Sequence, residues 1–249
     1  MKGTKQILLA GFAALCMVLP ACRSTVDNEI AKAPPLVVSP APMDSASYSA
    51  EYTQDGSLPF TCEVKLGTNG RIRRDYVWKD ENGADKKASV VIDGSNAVRI
   101  EDGKATPVKD IDAVQARFFA GLILNLDSVV SNASGSRKIG TSSAPEKEAV
   151  VPYHAFALEF AGIPDIESCT VLTDPKSDHW VHLFVPMADD SDTVFSTDFQ
   201  EYKSESGVTY PSRIVSSTEG GAPVTCTIRD VKINPEFPDE LFRLPETNG

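Results

Sequence analysis

Alternation of apolar and polar positions runs through most of the chain and predicts β-strands. Phe60, Cys62, Val64 and Leu66 alternate with polar residues, the pattern of a strand with one buried face. Turns containing Gly, Asn or Asp separate such stretches at short intervals, as in an antiparallel meander. We predict strands over 47–54, 60–66, 71–79, 88–92, 97–101, 153–160, 169–173, 179–186, 193–202, 208–217 and 224–233.

Two of these strands depart from simple alternation. The strand at 224–233 changes its apolar parity after Ile228, which predicts a β-bulge near Arg229-Asp230 and a curled strand. The strand at 179–186 is apolar on both sides, with Trp180, His182 and Phe184 predicted on one face. We therefore expect it to lie centrally in the sheet or beneath a helix.

One helix is predicted, from Asp110 to Leu126. Asp110 is a suitable N-cap, and Ile111, Val114, Phe118 and Leu122 recur at helical spacing. A helix this apolar has to bury most of its surface, and we expect it to plug the concave face of the sheet.

Residues 125–152 are predicted to be mostly loop. The apolar tail at 237–244 is predicted to seal one edge of the sheet.

The start of the chain predicts export and a lipid anchor. Lys2 and Lys5 precede an apolar run from Ile7 to Val18, the organisation of a signal peptide. The sequence Leu19-Pro20-Ala21-Cys22 resembles a bacterial lipobox, which would lipidate Cys22; ordinary cleavage near Ala21 is the alternative. We expect residues 1–21 to be the signal peptide, 22–45 a Pro/Ala-rich tether and 46–249 one β domain. The expected location is the periplasmic side of the outer membrane.

Charge and cysteine content narrow the function classes. Removing residues 1–21 takes Lys2 and Lys5 from the 24 basic residues and none of the 35 acidic ones, so the net charge changes from −11 to −13. The charge of such an acidic protein does not favour binding to nucleic acid, and no nucleic-acid partner is expected.

Three cysteines, Cys62, Cys169 and Cys226, remain in the predicted domain. They are predicted to be buried thiols, with a Cys62–Cys226 disulfide as the alternative.

Catalytic and cofactor motifs are absent from the sequence. His179 and His182, three apart on a strand, are expected to point to opposite faces and cannot share a metal ion. The acidic run at 189–192 offers oxygen ligands for calcium but lacks the spacing of a known loop, so a solvated turn is favoured. We predict a protein that is not an enzyme and has no cofactor and no metal site.

Several turn and strand motifs resemble the LolA/LolB-like superfamily of periplasmic lipoprotein carriers, receptors and related lipid-binding lipoproteins. They span much of the predicted domain: Asp93-Gly94, Ala97-Val98-Arg99, Asp198-Phe199-Gln200-Glu201-Tyr202, Gly207-Val208-Thr209-Tyr210-Pro211-Ser212-Arg213-Ile214, Val231-Lys232-Ile233-Asn234 and Leu241-Phe242-Arg243-Leu244-Pro245. The resemblance implies a mainly β fold with one or two helices, an open, curved antiparallel half-barrel. It also implies a helical plug over a concave apolar face that holds acyl chains. The carriers begin their fold with a helix, whereas this chain has a Pro-rich tether at that place. The soluble carriers also lack a lipid anchor, which favours a membrane-attached role for this chain.

Two functional hypotheses follow. In the first, the protein binds lipid or lipoprotein acyl chains in an apolar concavity and serves lipid or lipoprotein trafficking. In the second, the same fold is filled by its own side chains and binds an envelope protein partner. The candidate ligand-binding residues are Trp78, Arg99, Phe118, Leu122, Trp180 and Phe184, and the candidate lipidation site is Cys22. Arg99 is a candidate partner for a lipid headgroup or lipoprotein amide; an arginine with a snorkelling stem is the alternative.

Overall fold

The computed structural model describes residues 43–94, 96–108, 122–124, 133–146, 149–161, 166–186, 194–218 and 221–245. The predicted signal peptide, Cys22 and nearly all of the tether lie outside these ranges, as does the acidic run at 189–192. Of the predicted helix, the structure describes Leu122, Ile123 and Leu124, which are helical and buried. No helix in the described part of the chain is both long and apolar enough to span a membrane.

The described residues form antiparallel β-structure with two short 3-10 helices, Thr68–Gly70 and Asp239–Phe242. The strands are β1 Ala46–Gln54, β2 Phe60–Leu66, β3 Ile72–Lys79, β4 Asp85–Asp93, β5 Asn96–Glu101, β6 Lys104–Pro107, β7 Ala133–Glu146, β8 Ala149–Phe160, β9 Ser168–Thr173, β10 Trp180–Pro186, β11 Val194–Glu205, β12 Val208–Ser217 and β13 Val224–Ile233. Their order is β6-β5-β4-β3-β2-β1-β13-β12-β11-β10-β9-β8-β7. Because β6 and β7 end this order without pairing to each other, the sheet is open, as predicted.

The chain divides into two compact units. Among the described residues, the β1 unit contains 43–94, 96–108, 122–124, 200–214 and 225–245. The β7 unit contains 133–146, 149–161, 166–186, 194–199, 215–218 and 221–224.

In the β1 unit, the alternation seen in the sequence separates two faces of β1 to β4. Cys62 and Val64 on β2 are 1% exposed, whereas their neighbours Thr61 and Glu63 are exposed. We call the side that carries Cys62 and Val64 the apolar face, and the opposite side the second face. The registers are continuous from β1 to β6, so residues paired across the strands share a face.

The C-terminal tail packs on the second face. Phe242 is 1% exposed, and the guanidinium carbon of Arg71 lies 5.1 Å from its ring centre. Arg73 Nη1 donates to the Leu241 carbonyl at 3.3 Å. The 3-10 helix Asp239–Phe242 contacts β3 and β4, which are interior strands of the order. The prediction that this tail seals a sheet edge is therefore wrong.

The β7 unit contains a long hairpin in the region predicted to be loop. β7 and β8 pair from Ala133 opposite Phe160 to Glu146 opposite Ala149, with register shifts near Gly135 and Gly140. The prediction of loop over 125–152 is therefore wrong for the described residues. β7 is rich in Ser and Gly and lacks apolar alternation, so its strand conformation comes from pairing with β8 rather than from its own side chains.

A bulge in β10 changes which side chains share a face. Trp180 pairs with Thr173, whereas His182 pairs with Leu172, so the register shifts between them. Trp180, Leu183 and Val185 are all 0% exposed and share the buried face. His182 and Phe184 lie on the opposite face, so the prediction that they share a face with Trp180 is wrong.

The predicted bulge in β13 is confirmed. Asp230 has a φ of 54°, and Arg229 and Asp230 are both exposed between the buried Ile228 and Val231.

The three cysteines of the domain are buried free thiols: Cys62, Cys169 and Cys226. The alternative of a Cys62–Cys226 disulfide is therefore wrong. Cys62 pairs with Ala50 on β1, and β1 lies between β2 and β13 in the strand order.

Candidate functional site

The apolar face of the β1 unit carries a row of aromatic side chains. Tyr52 pairs with Phe60, and Phe60 pairs with Trp78, so the three rings cross β1, β2 and β3 side by side. The Tyr52 and Phe60 rings stack with centroids 4.6 Å apart, and the Tyr76 ring lies 6.3 Å from Phe60. All four side chains are half-buried. Aromatic rings of this exposure offer apolar area to a ligand.

A buried arginine lies on the same face. Arg74 is 6% exposed and pairs with Val64 on β2 and Val90 on β4. Its guanidinium donates a hydrogen bond to the Tyr76 hydroxyl. Placing a guanidinium on an apolar face costs solvation free energy, so the position calls for polar groups around it.

Those groups are hydroxyls and thiols that stay protonated near neutral pH. Burial, opposed by the charge of Arg74, raises the pKa of Tyr48 far above its usual value and the pKa of Tyr76 to about 12. Burial likewise raises the pKa of the Cys62 and Cys226 thiols to about 12. The tyrosines therefore keep their hydroxyl protons beside a permanent positive charge.

Arg99 lies in the same transverse row. Val90 pairs with Arg74 on one side and with Arg99 on the other, so the two arginines are two strands apart, about 10 Å at the backbone. The Arg99 side chain is 26% exposed, and its Nη2 contacts Glu101 Oε2 at 2.8 Å. Its Nε is buried and has no hydrogen-bond partner among the described residues.

On the second face of the same strands, a cluster of polar side chains around Asp75 is internally paired. Asp75 accepts hydrogen bonds from Ser89 Oγ at 2.6 Å, Arg73 Nε at 2.9 Å and Lys65 Nζ at 3.0 Å. These contacts lower the Asp75 pKa, although partial burial, the largest single effect, opposes them. A groove of about 570 Å³ opens here, with Glu63, Asp75, Arg73 and Arg229 among its lining residues.

The structure brings together only part of the predicted ligand site. Trp78 and Arg99 share the apolar face of the β1 unit. Trp180 and Phe184 belong to the β7 unit and lie on opposite faces of β10, with Trp180 completely buried. Leu122 is buried in its helical segment, and Phe118 lies outside the described residues. No group of three or more His, Cys, Asp or Glu residues suited to a metal ion occurs in the described ranges.

The β7 unit has one further polar pair. His182 Nδ1 lies 2.6 Å from Asp198 Oδ1, and the edge of the Tyr153 ring packs against the imidazole at 5.5 Å between centres. His182 Nε2 is buried without a hydrogen-bond partner in the part of the chain that the structure describes. Histidine held by a carboxylate is half of a nucleophile-activating pair, but no contact to a Ser, Thr or Cys completes it within those residues.

Sequence reasoning missed Arg74. The signal was present, because Arg74 occupies the inward parity of β3 between Ile72 and Tyr76, where an apolar residue is expected. A charged residue at an inward position of an otherwise apolar strand is the informative exception.

No protein-family model matches the chain, and no curated protein matches it by sequence. Solved structures do match. A LolA superfamily protein from Nitrosomonas europaea aligns with 82% of this chain and 91% of its own, at a TM-score of 0.56 and 10% identity. The chain has a LolA-like fold.

Two more solved structures share this LolA-like fold. A DUF1329 family protein from Desulfovibrio piger covers 81% of this chain and 90% of its own, at a TM-score of 0.54 and 11% identity. A domain from Vibrio parahaemolyticus, described as an outer membrane lipoprotein-sorting protein domain, covers 80% of this chain and 88% of its own. Its TM-score is 0.53 at 7% identity. At these identities the likeness establishes the fold, and the function has to come from the site.

Proposed function

We propose that the protein is a membrane-anchored envelope lipoprotein that binds acyl chains of lipids or lipoproteins on the apolar face of its β1 unit. The observation that carries the proposal is the half-buried aromatic row Tyr52, Phe60 and Trp78, continuous across three strands. Burying acyl chain against such a surface is favourable by about 0.8 kcal/mol per CH₂ group. The LolA-like fold and the sorting role named for the Vibrio domain support the same class of ligand.

The anchor and the location belong to the same proposal. Cys22 follows a signal-like apolar segment in a sequence that resembles a lipobox, so lipidation of its thiol would hold the β domain at a membrane. We place it at the periplasmic side of the outer membrane, tethered by residues 22–45. The proposed role is non-enzymatic, within lipid or lipoprotein trafficking.

The test is recovery of bound lipid. The full chain is purified in amphipol, which keeps its apolar N-terminal segment soluble without free detergent, and is analysed by native mass spectrometry and organic extraction. We expect acyl lipid to co-purify and a fluorescent fatty acid to bind. Phe60→Asp should abolish both signals, whereas Thr61→Asp, the neighbour on the second face, should retain them. Recovering no lipid and no fatty-acid binding with the unaltered chain would refute the proposal.

A second candidate function is binding of an envelope protein partner at the groove on the second face. The observation that favours it is the mixed charge of this groove, together with Val77, which is 38% exposed there. Crosslinking in cells from a photoreactive residue at Val77 should then capture one reproducible protein. Capture from Val77 that is no better than from Lys79, at the end of β3, would count against it.

A further inference from the structure

We propose that the amphiphile bound by the apolar face is acidic, and that Arg74 and Arg99 hold its carboxylate or phosphate while its acyl chain lies along the aromatic row. This inference rests on the proposed function and adds the chemical class of the ligand. The apolar face is chemically uneven. Apolar and aromatic side chains occupy most of it, yet one transverse row contains two guanidinium groups separated by a single valine.

The geometry suits one shared headgroup. Arg74 and Arg99 flank Val90 on the same face, about 10 Å apart at the backbone, and two arginine side chains can converge across that distance. The guanidinium fork matches the two oxygens of a carboxylate or phosphate. Arg74 is the buried member of the pair, and Arg99, with its side chain 26% exposed, is the accessible one.

An unused hydrogen-bond donor of Arg99 also favours an anionic headgroup at this place. Arg99 Nε is buried and lacks a partner among the described residues, although its Nη2 contacts Glu101. A buried N–H without an acceptor is costly, and an anionic oxygen at this place would supply one. The Tyr76 hydroxyl adds a further protonated group beside Arg74. Glu101 is the acidic side chain that a ligand headgroup would have to displace from Arg99.

The distance along β3 fits an acyl chain that begins at this row. From Arg74 to Trp78 is four residues, about 13 Å of extended strand. Tyr76 lies between them on the same face. A headgroup at the arginine row would therefore direct its chain past Tyr76 and over Phe60 and Trp78, whose rings are half-buried. Charge selects the headgroup, and the rings accept the chain.

The test compares ligands that share an acyl chain and differ in charge. Oleate, oleoyl lysophosphatidate and uncharged monoolein are titrated against the full chain in amphipol, each displacing a fluorescent fatty acid. We expect both acidic ligands to bind about tenfold tighter than monoolein, as a charge-assisted hydrogen bond provides. Acetate and inorganic phosphate at the same concentrations should displace nothing, which separates a lipid headgroup from a free anion.

Variants assign the preference to the arginines. Arg74→Met should bring the ratio of acidic to uncharged affinities to about one while monoolein still binds. Arg99→Met should reduce the same ratio, and this variant tests the inference if Arg74→Met does not fold. Arg73→Met, the adjacent arginine on the second face, should leave the ratio unchanged. Equal affinities for the three ligands in the unaltered chain would overturn the inference, and so would an unchanged ratio in both Arg74→Met and Arg99→Met. In either case, binding of monoolein would still support the proposed function. Binding of none of the three ligands would overturn both.

Discussion

Arg73 and Arg74 are adjacent on β3 and face opposite environments. Arg73 donates from Nε to both Asp75 oxygens, at 2.9 and 3.1 Å, on the second face. Arg74 is 6% exposed on the apolar face, with the Tyr76 hydroxyl as a partner. An ion pair that is partly open to solvent contributes little to stability, about 1 kcal/mol, whereas a buried charge is expensive unless well compensated. The comparison teaches that adjacent arginines on β3 are held by different chemistry, a carboxylate on the second face and tyrosine hydroxyls on the apolar face.

The largest expected effect comes from reversing the pattern of two neighbours on β2. Val64 is 1% exposed on the apolar face, so Val64→Lys should lower the free energy of unfolding by about 4 kcal/mol or prevent folding, because it buries a charge among apolar side chains. Lys65→Val, on the second face, should cost about 1 kcal/mol or less. Urea unfolding followed by circular dichroism measures both. Similar losses in the two variants would contradict the division into faces.

Closure of the second face by the tail is tested at Gly67. A Cβ at this position would lie 2.8 Å from two carbons of the Phe242 ring. The Gly67 backbone, at φ −97°, is compatible with alanine, so the penalty is steric. Gly67→Ala should therefore lower the unfolding free energy by about 1–3 kcal/mol. Combining it with Phe242→Leu should cost less than the sum of the two single changes; strict additivity would mean that the predicted contact is absent.

The charge network of the second face should show a defined pH dependence. The Asp75 pKa is lowered in the folded protein, so its contribution to stability is complete above the unfolded pKa of about 3.9 and is lost as pH falls through the folded value. Asp75→Asn should cost about 1–2 kcal/mol at pH 7. The difference from the unaltered protein should shrink at pH 3, and a difference as large at pH 3 as at pH 7 would contradict this account. Asp85→Asn, at an exposed ion pair, is the control with little expected effect.

The smallest expected effect concerns Arg73 alone. Its side chain is half-buried, and Asp75 keeps Ser89 and Lys65 as donors without it. Arg73→Met should change the unfolding free energy by about 1 kcal/mol or less. Urea unfolding of Arg73→Met and Arg74→Met, measured in parallel, shows whether the two substitutions change the unfolding free energy differently, as their positions on opposite faces predict. A larger loss for Arg73→Met would mean that its hydrogen bond to the Leu241 carbonyl holds the tail in place.

Sequence patterns predicted the strands wherever one face is buried, because period-two alternation reports burial directly. Phe60 to Leu66 and the parity change at Arg229-Asp230 are examples, and both are confirmed. β7 escaped prediction because its Ser- and Gly-rich residues carry no such alternation, so its pairing with β8 leaves no signal in its own sequence. The bulge in β10 escaped because every residue from Trp180 to Val185 other than His182 is apolar, which leaves no parity signal.

The candidate site was only partly predictable for the same reason. Trp78 and Arg99 remain predicted ligand-binding residues, and the register that places Val90 between Arg74 and Arg99 is set by two strand pairings. No local pattern contains that information. Arg74 was visible as a charge at an inward position, and it was overlooked because the surrounding alternation is otherwise regular.

Quenching by a brominated acyl chain tests the central claim, that acyl chains bind along Tyr52, Phe60 and Trp78, most directly. The chain has two tryptophans: Trp78, half-buried in the aromatic row, and Trp180, 0% exposed in the β7 unit. Titrating a dibrominated fatty acid should quench the fluorescence of the unaltered protein through Trp78. In Trp78→Phe, the remaining Trp180 fluorescence should be insensitive to the same ligand. Equal quenching of both proteins, or of neither, would contradict the placement of acyl chains on this face.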